Sequence, residues 1–318
     1  MRSLSKMILI RCGLGFATLV VVAVIIFLGV SFQPGDAAQA LLGRDATPEA
    51  LAALRLELGL NQPLHVRFFS WLNNVLHGNF GVSYANRRDV IELIVPRLRN
   101  TLFLAGIAAV IAIPLSLALG IASALYRNTV MDRTTSIISL WCISFPEYFI
   151  GYILILILSL KFNLFPSLAQ ITPATEFLPR LYQSFLPALT LSLAMSAHII
   201  RLTRAAILNV IASPYIEMAR LKGLSPVRTV VKHALPNALG PIINVVILNL
   251  AYLLVGVVIV EVVFVYPGLG QLFVDAVSKR DFPIVQAVTL LFAATYVVLN
   301  LIADVLSILT NPRLLHAR

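Results

Sequence analysis

Residues 215–241, YIEMARLKGLSPVRTVVKHALPNALGP, lie between two long apolar runs and are basic, helix-prone and punctuated by glycine and proline. The stretch is too long for a simple turn. Just before it, Ser213-Pro214 and then Glu217 set a capping residue, a proline at the first helical position and an acidic first turn in the order that starts a helix. That helix runs through Met218, Ala219 and Leu221 to Gly223, which can take the left-handed conformation that ends helices. Ser225-Pro226 starts a second helix, predicted to reach Leu235-Pro236. Helix, glycine turn and helix together make a rigid docking knob. A basic amphipathic loop resting on anionic lipid is the competing reading.

The flanking sequence sets the class. Of 318 residues, 59% are hydrophobic and 12% charged, and the mean hydropathy of +0.92 exceeds what a soluble domain with a polar surface carries. The pattern is that of an all-α polytopic membrane protein. A membrane-crossing helix needs roughly 20 apolar residues, and six stretches qualify, at about 8–32, 100–125, 136–160, 185–207, 239–265 and 284–309. The first reads as a retained anchor rather than a signal peptide. Its apolar core is longer than a secretory core, and the cleavable-looking Ala38-Gln39-Ala40 lies beyond Pro34-Gly35-Asp36. With the N-terminus inside, the inner connections hold 13 Lys and Arg; the outer ones hold 4 once the long first loop is discounted. Both termini are therefore predicted to be cytoplasmic. The net charge of +10 reports this orientation rather than a nucleic-acid partner. The chain divides into a first helix at 1–33, an extracytoplasmic helical segment at 34–99, a five-helix core at 100–310 with its cytoplasmic loop at about 208–240, and a tail at 311–318.

In the outer segment, Thr47-Pro48-Glu49 starts a helix with Leu51, Leu54 and Leu58 on one face and Gly59 closing it. A second amphipathic stretch carries Val66, Phe69, Leu72 and Leu76 on one side. The segment is read either as a cap contacting a partner or as a loop packed on the spans. Residues 161–184, with Pro166, Pro173 and Pro179, are expected at the outer surface or folded partly back. Pro and Gly at 266–270, with 279–283, rule out a continuous helix between the last two spans. Broken backbone at that depth must be buried in protein or line a wet cavity.

Polar residues inside the spans are the candidate path lining. Gln286, Thr289, Tyr296, Asn300 and Asp304 fall within about 80° of arc on a helix. The stripe faces either the translocation path or a neighbouring helix; Asp304, near the cytoplasmic end, is read first as a partner for Arg or Lys. Glu147, after Pro146, and Glu261 either contact a cationic substrate or pair with a neighbouring helix. His198 is read as a packed histidine. Cys12 and Cys142 are the only cysteines, so neither a disulfide framework nor a cysteine-based metal site is available, and no metal site is predicted. No Gly-Lys dipeptide occurs anywhere, which removes the phosphate-cradling loop, and no HExxH or GxSxG appears. No catalytic residue is predicted.

Glu217-Met218-Ala219, Gly223 and His233-Ala234-Leu235-Pro236 resemble, in order and spacing, the EAA motif of permease subunits of bacterial ABC importers, E-A-A-x3-G-x9-I-x-L-P. Met218 stands in place of the first Ala and His233 in place of the Ile. The remainder is similar to the dipeptide and oligopeptide branch: Gln33-Pro34-Gly35-Asp36, Leu58-Gly59-Leu60-Asn61-Gln62-Pro63-Leu64 and Gly78-Asn79-Phe80-Gly81 in the outer segment, then Pro267-Gly268-Leu269-Gly270, Arg280-Asp281-Phe282-Pro283, Asn300 and Asp304. The resemblance implies a type I ABC importer transmembrane domain in the bacterial inner membrane. It implies a second homologous permease, two cytoplasmic ATPase subunits that hold ATP and Mg, an extracytoplasmic substrate-binding protein, and no cofactor on this chain. Glu217, Met218, Ala219, Gly223, Leu235 and Pro236 would then be the ATPase-coupling residues. A secondary transporter driven by protons through Glu147, Glu261 or Asp304 is the alternative.

Overall fold

The computed structural model describes residues 2–32, 37–43, 46–57 and 59–310, which are almost wholly helical apart from an isolated antiparallel bridge between Val82 and Asp89. In chain order the helices are α1 (Arg2–Ser31), α2 (Ala37–Leu42), α3 (Pro48–Glu57), α4 (Leu64–Leu76), α5 (Val90–Leu125), α6 (Val130–Ser144), α7 (Glu147–Leu154), α8 (Phe177–Ile211), α9 (Pro214–Leu221), α10 (Pro226–Arg228), α11 (Leu235–Val263), α12 (Leu269–Lys279) and α13 (Phe282–Thr310). π-helical turns at Ile155–Lys161 and Thr229–Ala234 extend α7 and join α10 to α11. The Gln33-Pro34-Gly35-Asp36 motif, Leu58 and the predicted tail lie outside the described residues.

Among the described residues five helical stretches are long and apolar enough to cross a membrane: Ile8–Ser31, Val90–Leu125, Phe177–Ile211, Pro226–Leu254 and Phe282–Leu306. The sixth expected span, at 136–160, is not a straight helix. Val130–Ser144 and Glu147–Lys161 meet at 108°. The cause is Pro146, whose ring disfavours helical backbone at the residue before it; Phe145 is accordingly extended, at φ −101 and ψ 140. A second departure concerns the helix expected to end at Leu235-Pro236. It does not end there, and the backbone from Pro226 continues into α11. A proline inside a helix removes a donor and crowds the preceding turn, and the π-helical turn just before Pro236 widens the backbone at that point.

The chain forms two compact units that do not follow chain order. One comprises Gly13–Thr101 and Pro267–Val297. Its core joins Val90 and Ile94 of α5 to Leu269 and Leu272 of α12 and Ile284 and Val288 of α13. The sequence placed a break between the last two spans; the structure fills it with α12, whose first amide, Leu269 N–H, donates to Thr101 Oγ1 at 2.8 Å. The broken backbone at 266–270 is mostly buried in protein. As expected, Ala50 N–H donates to Thr47 Oγ1 at 3.3 Å and starts α3. α4 packs Phe68 and Trp71 on Phe27 of α1, with ring centroids 5.3 and 5.8 Å apart. Val66, Phe69 and Leu76, the apolar side read from the sequence, are exposed instead: the large rings bury more area and take the inner face.

The α12–α13 turn is held by one carboxylate. Arg280 takes the left-handed conformation (φ 56) and turns buried Asp281 inward. Asp281 accepts from the Ser83 hydroxyl and from the amides of Tyr84 and Ala85 at 3.0 and 3.1 Å. Beside it, burial pushes the Tyr84 phenol above its ordinary range, with Arg67 opposing and Asp281 adding, so Tyr84 stays neutral and packs edge-on to Phe282 at 6.3 Å. Asp281→Ala strands three donors, a loss of about 3 kcal/mol, and is expected to lower the unfolding midpoint of the detergent-solubilised protein by roughly 5 °C or more. An unchanged midpoint would show the turn to be held by its apolar contacts alone.

The other unit comprises Leu102–Tyr266 with the described residues before Gly13 and after Val297. α8 is its axis, with α6, α7 and α11 packed against it. The core includes Leu104 and Ala108 of α5, Leu186 and Ile199 of α8, and Val257 of α11. The proline-rich segment after Lys161 folds back: Ala169 and Ile171 are buried in this core, and Ala169 N–H donates to the Phe264 carbonyl at 3.0 Å. Arg204 of α8 grips Asp132 of α6 with two bonds of 2.7 and 2.8 Å.

Candidate functional site

The knob read from the sequence is α9 and the turn after it. Ser213 occupies the N-cap position, but its hydroxyl donates to the Val210 carbonyl rather than capping α9, which is begun by backbone bonds from Ile216 and Glu217 to the Ser213 carbonyl. At the other end Gly223 has φ +79, with Gly223 N–H donating to the Arg220 carbonyl at 2.9 Å and Leu224 N–H to the Ala219 carbonyl at 3.3 Å. This pair of bonds closes a helix only when the turn residue is left-handed, which favours glycine. Ser225 does cap, accepting from Arg228 N–H at 3.4 Å.

One residue anchors α9. Ile216 is fully buried with Ile207, Val230, Ala234 and Ala238. Around it Tyr215, Met218 and Leu221 are exposed, Met218 by 56% and Leu221 by 75%. Spaced by three, they share one side of the helix, an apolar strip presented outward. Glu217 is exposed in the first turn, Ala219 is half-buried, Gly223 has open space where a side chain would project, Leu235 is half-buried and Pro236 is exposed.

A second feature is a cavity of about 600 Å³ lined by residues of α6, α7, α8 and α11, among them Glu147, Met195, His198, Asn249, Tyr252 and Gly256. The structure thus corrects the reading of His198 as packed: it is exposed on the cavity wall. Glu147 faces the same cavity. Glu261 does not line it; it is fully buried near Tyr266 and Arg180, where burial pushes the Tyr266 phenol up to about 12.

The α13 stripe is divided between the two units. Gln286 is buried and lines a separate cavity of about 880 Å³ with Arg67, Trp71 and Tyr84. Thr289 donates its hydroxyl to the Val285 carbonyl at 2.7 Å. Tyr296 is exposed and Asn300 half-buried. Asp304 pairs with Arg11 at 3.1 Å, as its position near a basic end suggested.

Residues 4–105 match the family described as the N-terminal membrane component of binding-protein-dependent transport systems, and residues 116–316 match the binding-protein-dependent transport system inner membrane component. The chain belongs to this family of transport-system inner membrane components. It is 38% identical over 296 residues to the glutathione transport system permease protein GsiC of Salmonella choleraesuis (strain SC-B67) and of Escherichia coli (strain K12), covering 93% of this chain and 94% of each relative. Its fold resembles a chain of the MetNI methionine ABC transporter solved in inward-facing conformations, at a TM-score of 0.56 and 19% identity, over 70% of this chain and 97% of that one.

The chain is therefore a multi-pass inner membrane component of a transport system that depends on a binding protein. Nothing in family or fold supports the proton-coupled alternative. Three parts of the site went unread in the sequence. The break at Pro146 was legible from the proline alone. Asn249 and Tyr252 carried the signal of polar groups inside a span, but the recess at Gly256 had no local signal, since it depends on which helix packs opposite.

Proposed function

We propose that this permease forms half of a two-permease path for small peptides or similar solutes, and that α9 seats in a groove on one of two cytoplasmic ATPase subunits. ATP and Mg reside on those subunits, and this chain performs no chemistry. The observation that carries the reading is the outward apolar strip of Tyr215, Met218 and Leu221, supported on a helix tethered by Ile216. An exposed apolar face rimmed by Glu217, Arg220 and Lys222 suits a protein groove better than water. Peptide-class cargo is supported by the relatives' names and by the branch resemblance of the outer segment.

Each of Met218 and Leu221 is worth about 1.5–3 kcal/mol when fully buried. Met218→Lys with Leu221→Lys is therefore expected to reduce ATPase subunits recovered with the affinity-tagged permease at least about tenfold, with membrane levels of the permease unchanged. Full recovery of ATPase with the double variant sinks the assignment of α9.

A further inference from the structure

The cavity of about 600 Å³ holds one group that neither packing nor coupling uses. Glu147 opens α7 directly after the Pro146 break, and its Oε2 is buried with no hydrogen-bond partner among the described residues. Its seat is made by an absent side chain. A Cβ at Gly256 would lie 2.3 Å from Oε2 and 2.8 Å from the carboxyl carbon, so any larger residue there makes the end of the Glu147 side chain move from this position. Leu191, Met195 and Leu253 on the surrounding wall offer no charge and no donor; His198, also on the wall, is a titratable group but makes no hydrogen bond with Glu147 Oε2. Asn249 and Tyr252 share the cavity-facing side of α11 with Gly256 and add polar groups near the carboxylate's level.

Glu147 is half-buried, and its Oε2 is the oxygen that has lost water without gaining a partner, which is unfavourable for the charged form. The recess at Gly256 and the unpaired oxygen together point to a cation that arrives from outside the chain. An ammonium group supplies the opposite charge and three donors. Ligand pockets span about 300–1,000 Å³, and 600 Å³ accommodates a solute of dipeptide or tripeptide size. We propose that Glu147 receives the α-ammonium group of the transported peptide, with Gly256 holding the recess open. This rests on the reading of the chain as a peptide permease. Solutes that lack a cationic end would leave the carboxylate unpaired, so the site discriminates inside the membrane, downstream of the binding protein.

The test uses the complete transporter in nanodiscs without its binding protein, with trialanine and N-acetyl-trialanine as probes in equilibrium dialysis. Wild type is expected to bind trialanine at least tenfold more tightly than the acetylated form. Glu147→Gln and Gly256→Ala are each expected to bring trialanine down to the N-acetyl level. Equal binding of the two probes by wild type overturns the proposal, as does a preference that survives Glu147→Gln. Loss of the second permease from purified Glu147→Gln complex also overturns it, because the carboxylate would then pair across a subunit interface. The underlying reading has its own measurement: wild-type proteoliposomes supplied with the binding protein and ATP must take up peptide, and if they take up none the peptide assignment fails whatever Glu147 does.

Discussion

Gly223→Pro is expected to abolish ATP-driven uptake while leaving the permease folded in the membrane. Proline holds φ near −65°, whereas the turn after α9 holds +79, and proline also deletes the N–H that donates to the Arg220 carbonyl. The combined penalty is about 3 kcal/mol or more, which lowers the population of the native turn by roughly a hundredfold. Among the described residues nothing lies within 4 Å of where a Cβ at Gly223 would project, so the damage is confined to the backbone path between α9 and α10. Gly223→Ala provides the graded control: an alanine in the left-handed region costs about 1 kcal/mol, and a severalfold decline is expected. Uptake and ATPase rates in proteoliposomes, alongside thermal unfolding in detergent, separate the effects. A proline variant that keeps more than half of wild-type uptake would show that the turn's geometry plays no part in coupling.

The same turn shows why parts of this protein could be read in advance. Helix starts and stops are written locally, in Ser225-Pro226, Gly223 and Thr47-Pro48-Glu49, and these appeared where the residues placed them. Five of the six expected spans followed from apolar length, and the sixth is bent at Pro146. What failed were features set by partners distant in sequence. Ser213 looked like a cap, yet the Val210 carbonyl takes its hydroxyl. Phe69 looked inward, yet Phe68 and Trp71 won the contact with Phe27. His198 looked packed, yet its wall stayed open. Asp281 was visible as part of a motif, but its three donors lie almost two hundred residues earlier and could not be paired with it from spacing.

Asp132→Ala is expected to destabilise the unit built on α8 strongly. Asp132 is only 5% exposed in its side chain and meets Arg204 through both oxygens at 2.7 and 2.8 Å, while Oδ2 also accepts from Asn128 N–H at 2.9 Å. Removing one partner of a buried pair typically costs about 3–5 kcal/mol because the other charge is left behind. Arg204 is 28% exposed and can regain some water, which argues for the lower end, about 3 kcal/mol. The consequence reaches function because α8 leads through Ser213 straight into α9. Loosening α6 from α8 slackens the strut that carries the coupling helix, so uptake should fall more than ATPase recovery does. A double-mutant cycle isolates the pair. Asp132→Ala and Arg204→Met are each expected to lower the unfolding midpoint by roughly 5–10 °C, and the double variant to recover more than half of the loss, since no stranded charge remains. Strictly additive losses would mean that the two side chains stabilise the unit independently, and the strut would have to be sought in the apolar contacts of α8 with α11.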